Sequence, residues 1–303
     1  MRSLISLENL SQDEILKILE ITKQIKSNKF LSKDLLQGKS IGLVFQKPSN
    51  RTRVSFEVGI HQLGGNCLYL GPEEINLGVR ESTADVAKTL SRYLDGIVAR
   101  TFTHEDIIEL AQHSDVPVIN GLSDLHHPCQ ALTDIFSIYE KFNKINDLTV
   151  AYVGDGNNVC HSLLLGCCLV GININIATPP GYEPDSNVIN MAHGFAEKTE
   201  AHISISHSAQ EAVCNVDVIY ADVWISMGQE AESDKRLNDF RPYQINTDLV
   251  RLAKKKFIFM HCLPAHRGQE VTQEVIDGPN SIVFDQAENR LHTQKAILIF
   301  LYP

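Results

Sequence analysis

The chain has 303 residues, of which 43% are hydrophobic and 21% charged, and its formal net charge is -10. That length suits two domains of roughly 100–200 residues each, and the composition is that of an ordinary globular protein. The acidic balance excludes a general nucleic-acid or anionic-membrane surface, either of which needs a basic field, and no apolar run approaches the ~20 residues of a membrane span.

The first element is a helix in "SQDEILKILEITKQI", where Ser11 and Glu14 form a capping box and Ile15, Leu19 and Ile21 share a face. The same N-terminus has no apolar core of signal length. Seven cysteines without a CxxC pair, set mostly in apolar runs such as "GCCLV", read as reduced core residues, so cytoplasm is the expected compartment. Strands are predicted at 40–45, 67–70, 96–100 and 117–121, then a helix at 129–142. Further strands are predicted at 148–154, 172–177, 202–206, 216–222, 257–261 and 281–285, before a final apolar helix in "QAENRLHTQKAILIFLY". Runs of β-branched residues without strict alternation suit strands covered on both faces, and helical segments between them imply βαβ crossovers. The fold class is therefore α/β, with two parallel-sheet domains joined by long interdomain helices. The expected division is 1–128, completed by a C-terminal helix at about 286–303, and 129–285.

In such sheets ligands gather at the carboxyl ends of strands. Polar signals fall at six strand ends: "QKPSNRTR", Arg100, "GLSDLHHPCQ", "GDGNN", "DVWISMG" and "HCLPAHRG". A single one of these is an ordinary solvated loop; all six together favour an active site in a cleft between the halves. "SNRTR" opens a helix, whose unpaired N–H groups and dipole suit an anion. Ser49 and Thr52 offer hydroxyls, and Arg51 a planar donor pair for phosphate, whereas Arg53 could touch ligand or pair with an acid and brace the loop. No GxxxxGK[ST] pattern supports a nucleotide triphosphate. "HHPCQ" is poor zinc spacing and reads better as a turn with Pro128 at the first helical position, aiming His127 and Gln130 at the ligand. In "GDGNN" the third fingerprint position is Val159 and no acid follows the next strand, which disfavours NAD; Asn157 and Asn158 read as amide readers of a small polar ligand.

Together these motifs resemble the aspartate/ornithine carbamoyltransferase family over nearly the whole chain. "SNRTR" resembles its carbamoyl phosphate loop and "HPCQ" its HPxQ, while "DVWISMG" and "HCLP" are similar to the ornithine-type signatures. The resemblance implies transfer of a carbamoyl group from carbamoyl phosphate to L-ornithine, with residues 1–128 binding the donor and 129–285 the acceptor. It places Ser49, Asn50, Arg51 and Thr52 on the phosphate, and Arg100, His127 and Gln130 around the carbamoyl end. Cys262, the backbone of Leu263, and Arg290 complete that site. Asn158, Asp222, Ser226 and Met227 are implied for ornithine, and Arg100, His127, Cys262 and Asp222 for catalysis. It further implies a homo-oligomer, a trimer with shared sites, in which Asn76 of "EEINLGVRES" reaches a neighbouring subunit's phosphate. The chain departs from the family pattern at Asn50, which stands for threonine, and at Asn76, which stands for glutamine. No metal and no cofactor are expected, and no nucleic-acid or membrane partner. Arginine biosynthesis is the expected role. Two alternatives stay open: another amine acceptor (putrescine, an acetylated ornithine or aspartate), and a non-catalytic carbamoyl phosphate-binding paralogue.

Overall fold

The computed structural model describes residues 2–28, 31–75, 77–226 and 228–302. Its contacts divide the chain into two units, Met1–Phe136 with Glu288–Pro303, and Ser137–Ala287.

The first unit opens with α1 (Gln12–Ser27), held at its start by the expected capping box: Ser11 Oγ accepts from Glu14 N, and Glu14 Oε2 from Ser11 N. Then come β1 (Ser40–Phe45), α2 (Asn50–Gln62), β2 (Asn66–Leu70), α3 (Pro72–Ile75), α4 (Thr83–Leu90), β3 (Gly96–Arg100), α5 (His104–His113) and β4 (Val118–Leu122). The four strands form one parallel sheet in the order β2-β1-β3-β4. Central β1 and β3 are buried almost throughout, whereas edge strand β2 is only partly covered. Fully burying each Val, Leu or Ile of the central strands contributes about 1.5–3 kcal/mol. This explains why those strands read as unbroken apolar runs.

Helix α6 (Pro128–Phe142) carries the chain from the first unit into the second. There follow β5 (Thr149–Val153), α7 (Asn158–Val170), β6 (Asn173–Ala177), α8 (Ser186–Thr199), β7 (Ile203–Ser206), α9 (Ala209–Val213), β8 (Val218–Ala221), α10 (Ser233–Phe240), α11 (Thr247–Val250), β9 (Ile258–His261) and α12 (Gln273–Ile276). The second sheet is parallel, in the order β7-β6-β5-β8-β9. Helix α7 is buried from Val159 to Val170, so it has no solvent stripe. It stops at Gly171, whose φ of 81° suits glycine. Helix α13 (Val283–Leu301) returns the chain to the first unit.

Two expectations are corrected. Ile21 is off the buried face of α1, which Ile15, Ile18, Leu19, Thr22 and Ile25 form. Residues 281–285 do not form a strand: Ser281 makes only an isolated bridge to Phe259, and α13 begins at Val283. The pairing ends because Ile282 N donates to Phe259 O while Ile282 O already accepts from Gln286 N, so the backbone is committed to the helix. All seven cysteines are free thiols. No helix of the described residues is long and apolar enough to cross a membrane.

Candidate active site

In the first unit Ser49 is the N-cap of α2. Its backbone is extended, and its Oγ accepts from Thr52 N at 3.3 Å. Asn50 is the first helical residue and exposed, with Arg51 half-buried beside it. Thr52 is buried, and its Oγ1 accepts from Arg290 at 3.2 Å. The other arm of the Arg290 guanidinium donates to Gln130 Oε1 at 2.6 Å, and Gln130 in turn donates to buried Asp134 at 2.8 Å. Residues far apart in sequence thus meet: the start of α2, the first turn of α6 and the first half of α13.

Arg100 and His127 complete this group. Arg100 ends β3 and is buried. Its pKa is lowered to about 10 by burial first, then by Arg290 and Arg51. His127 is held well below the usual imidazole range by burial, and then by Arg290, Arg100 and Arg51. Its imidazole is therefore neutral and able to donate one hydrogen bond. Arg100 Nε is buried, and no acceptor among the described residues reaches it. Three guanidiniums and a neutral imidazole around a helix N-terminus would suit a compact, oxygen-rich dianion.

Other expectations for this unit resolve clearly. Arg53 pairs with Glu57 at 2.8 Å and lies 3.7 Å over the Tyr69 ring, so it braces the surface of α2. His126 is buried edge-on to His104, and the Cys129 thiol donates to Asn120 O. "HHPCQ" is therefore a packed turn before Pro128. Asn76 lies outside the described residues.

In the second unit Asp222 follows β8 and is buried. Its Oδ1 accepts from Val223 N at 2.8 Å and from Cys262 Sγ at 2.9 Å. Its Oδ2 accepts from Asn157 Nδ2 at 2.8 Å. Asn157 is the N-cap of α7, its Oδ1 accepting from Val159 N and Cys160 N. Asn157 therefore orients Asp222, a role that sequence reasoning missed, although an Asx residue before an apolar run is a cap signal. Asn158 opens α7, half-buried. Ser226 N donates to Gln229 Oε1 at 2.9 Å. Met227 lies outside the described residues.

Cys262 follows β9, and Leu263 has a φ of 58°. The turn is held by His261, whose Nδ1 accepts from Leu263 N at 2.8 Å while its Nε2 faces Glu270 at 3.3 Å. One candidate ligand atom each from Asp222, His261 and Cys262 lie within 4.8 Å of one another. That group does not fit a metal, because His261 Nδ1 already accepts from Leu263 N, the Cys262 thiol donates to Asp222 Oδ1, and Asp222 Oδ2 accepts from Asn157.

Comparison with known proteins finds both halves. Residues 2–140 match the family model described as the carbamoyl-P binding domain of aspartate/ornithine carbamoyltransferase, and residues 146–301 its Asp/Orn binding domain. An ornithine carbamoyltransferase of Bacillus cereus is 54% identical over 301 residues, covering 99% of this chain and 94% of that protein. Among solved structures, the ornithine carbamoyltransferase from Pyrococcus furiosus superimposes with a TM-score of 0.96 at 51% identity, covering 99% of this chain and 96% of the other. The Thermus thermophilus enzyme of the same name gives 0.89 at 42%, covering 99% of each chain.

Proposed function

The chain belongs to the aspartate/ornithine carbamoyltransferase family, and on that premise we propose how its residues divide the reaction. It is an enzyme that transfers the carbamoyl group of carbamoyl phosphate to the δ-amine of L-ornithine, giving L-citrulline and phosphate. In our reading Ser49, Asn50, Arg51 and Thr52, with the α2 N-terminus, hold the phosphoryl group. Arg100, neutral His127 and Thr52 polarise the carbonyl oxygen and stabilise the charge that grows there, while Gln130 and Arg290 fix the carbamoyl end. Arg51 stabilises phosphate as it departs. The observation that carries this reading is the grip of Arg290 on both Thr52 and Gln130, with Arg100 and Arg51 beside it.

The amine sets the harder condition. An alkyl ammonium resembles lysine, pKa about 10.4, so making it neutral near pH 7 costs roughly 4–5 kcal/mol. A carboxylate beside it would worsen that cost. Asp222 therefore takes the α-ammonium, with Asn158, Ser226 and Met227 addressing the amino-acid head. Cys262 and the Leu263 backbone are assigned to the reacting end, where amine and carbonyl must meet. Direct attack requires both substrates to be bound at once.

We further propose a homotrimer in which Asn76 contributes to a neighbouring subunit, acting in the cytoplasm in arginine biosynthesis. Support for association comes from α2 and β2, which expose Val54 (49%), Val58 (39%) and Leu68 (44%). The test is a citrulline assay on purified protein, with each substrate omitted in turn. Citrulline that requires both substrates is expected. Product only with another amine would move the reading to that acceptor, and none with any amine would favour a non-catalytic paralogue.

A further inference from the structure

The stretch Trp224–Ser226, between β8 and α10, belongs to no regular element, yet a buried ion pair lies beneath it. Arg236, on the first turn of α10, has a side chain only 4% exposed. Its Nε donates to Trp224 O at 2.7 Å, and its Nη2 donates to Asp155 Oδ2. The guanidinium lies over the rings of Tyr182, at 4.8 Å, and Phe240, at 5.3 Å. Glu232, one turn earlier, is 3.9 Å from Nη1, but its side chain is 61% exposed, so Asp155 is the principal counter-ion. Asp155, 10% exposed, sits between the end of β5 and the cap residue Asn157. It also accepts from the Gln229 side chain, whose Oε1 accepts from Ser226 N at 2.9 Å.

One carboxylate thus supports the loop at two points, through Arg236 at Trp224 and through Gln229 at Ser226. Stability alone is a poor reason for this arrangement, since apolar residues of similar volume commonly do as well as a buried ion pair. What the pair adds is direction. Arg236 offers a rigid fork, and each of its partners lies next to a residue of the amino-acid half of the site. Asp155 is joined to Asn157, which holds Asp222, while Trp224 and Gln229 bracket Ser226.

We propose that Asp155 and Arg236 are positioning residues for ornithine, a strut that fixes Asp222, Trp224 and Ser226 against the start of α7. The inference rests on the assignment of Asp222 and Ser226 to ornithine given above. Neither residue of the strut touches the reacting atoms.

The test uses the full chain and the variants Arg236→Gln, Arg236→Lys and Asp155→Asn. Steady-state kinetics in both substrates are read beside acrylamide quenching of Trp224, the chain's single tryptophan. Arg236→Gln is expected to raise KM for ornithine about tenfold or more, because small misplacements of binding groups are expensive. KM for carbamoyl phosphate should stay within about twofold, since the donor residues are untouched. Arg236→Lys should fall between, keeping the charge but not the fork. Asp155→Asn should move with Arg236→Gln. Trp224 should be quenched more readily in both. Unchanged ornithine KM with unchanged quenching overturns the strut, as does a loss confined to kcat. If the parent protein makes no citrulline, the functional reading fails by itself, and the quenching comparison still decides whether the strut holds the segment. Should Arg236→Gln not fold, the other two variants carry the decision, and no shift in either contradicts the proposal.

Discussion

Arg100 ends β3 with its pKa drawn from 12.5 to about 10 by burial and by Arg290 and Arg51. At ~1.36 kcal/mol per pH unit, holding that charge in the folded protein costs about 3 kcal/mol. A dianion set among these guanidiniums would offset that cost. Replacing Arg51 with leucine should raise KM for carbamoyl phosphate roughly 10–100-fold, the worth of one or two charge-assisted hydrogen bonds, with little change in thermal stability. Arg51 is only half-buried, and a collapse in melting temperature would contradict the assignment. Cys262 donates its thiol hydrogen to Asp222. Removing it in Cys262→Ala should shift the pH profile and weaken ornithine use; kinetics unchanged across pH would take Cys262 out of the mechanism.

Two helix starts carry the site, and both are set by caps. Ser49→Ala removes the acceptor for Thr52 N at the start of α2, for an expected loss of about 1 kcal/mol in denaturant unfolding together with weaker donor binding. Asn157→Ala should do more, since its amide caps α7 and also holds Asp222; ornithine KM should rise while carbamoyl phosphate KM stays put. These elements are legible because their signals are local. The capping box of α1, the apolar strands and Pro128 at the start of α6 can all be read within a few residues. The exception, 281–285, is an apolar run that both a strand and a buried helix start can satisfy, and backbone commitment to α13 decides it. Arg290 is placed by resemblance alone, since nothing near it in sequence announces Thr52 or Gln130 as partners. Gly156 looks in sequence like part of a nucleotide fingerprint. In the fold its missing Cβ lets the turn approach the Tyr182–Pro184 backbone, where a Cβ would lie 2.3 Å from Pro184 N.

Acid stability is a property of the whole chain, and its sign follows from the buried and half-buried histidines. His127, His104 and His292 are all held below their ordinary pKa, chiefly by burial. Below about pH 6.5 the unfolded chain takes up protons that these folded imidazoles refuse, so stability is full above that value and lost as pH falls. Asp155 works the other way: burial raises it to about 6 against the pull of Arg236, so its contribution is lost as pH rises through about 6. Three groups outweigh one, and melting temperature should drop between pH 7 and pH 5; a flat profile would show that these imidazoles protonate in place. The exposed apolar residues of α2 and β2 make their own forecast. Val54→Glu with Leu68→Glu should convert an assembly to monomers in sedimentation, whereas an unaltered sedimentation coefficient would clear these residues of any role in association. Donor binding is the step on which the proposed reaction depends, and calorimetric titration of carbamoyl phosphate into the parent protein and Arg51→Leu tests it most directly. Saturable binding at one site per chain, weakened at least about tenfold in the variant, is the expected result. Equal affinity in the two proteins would contradict it.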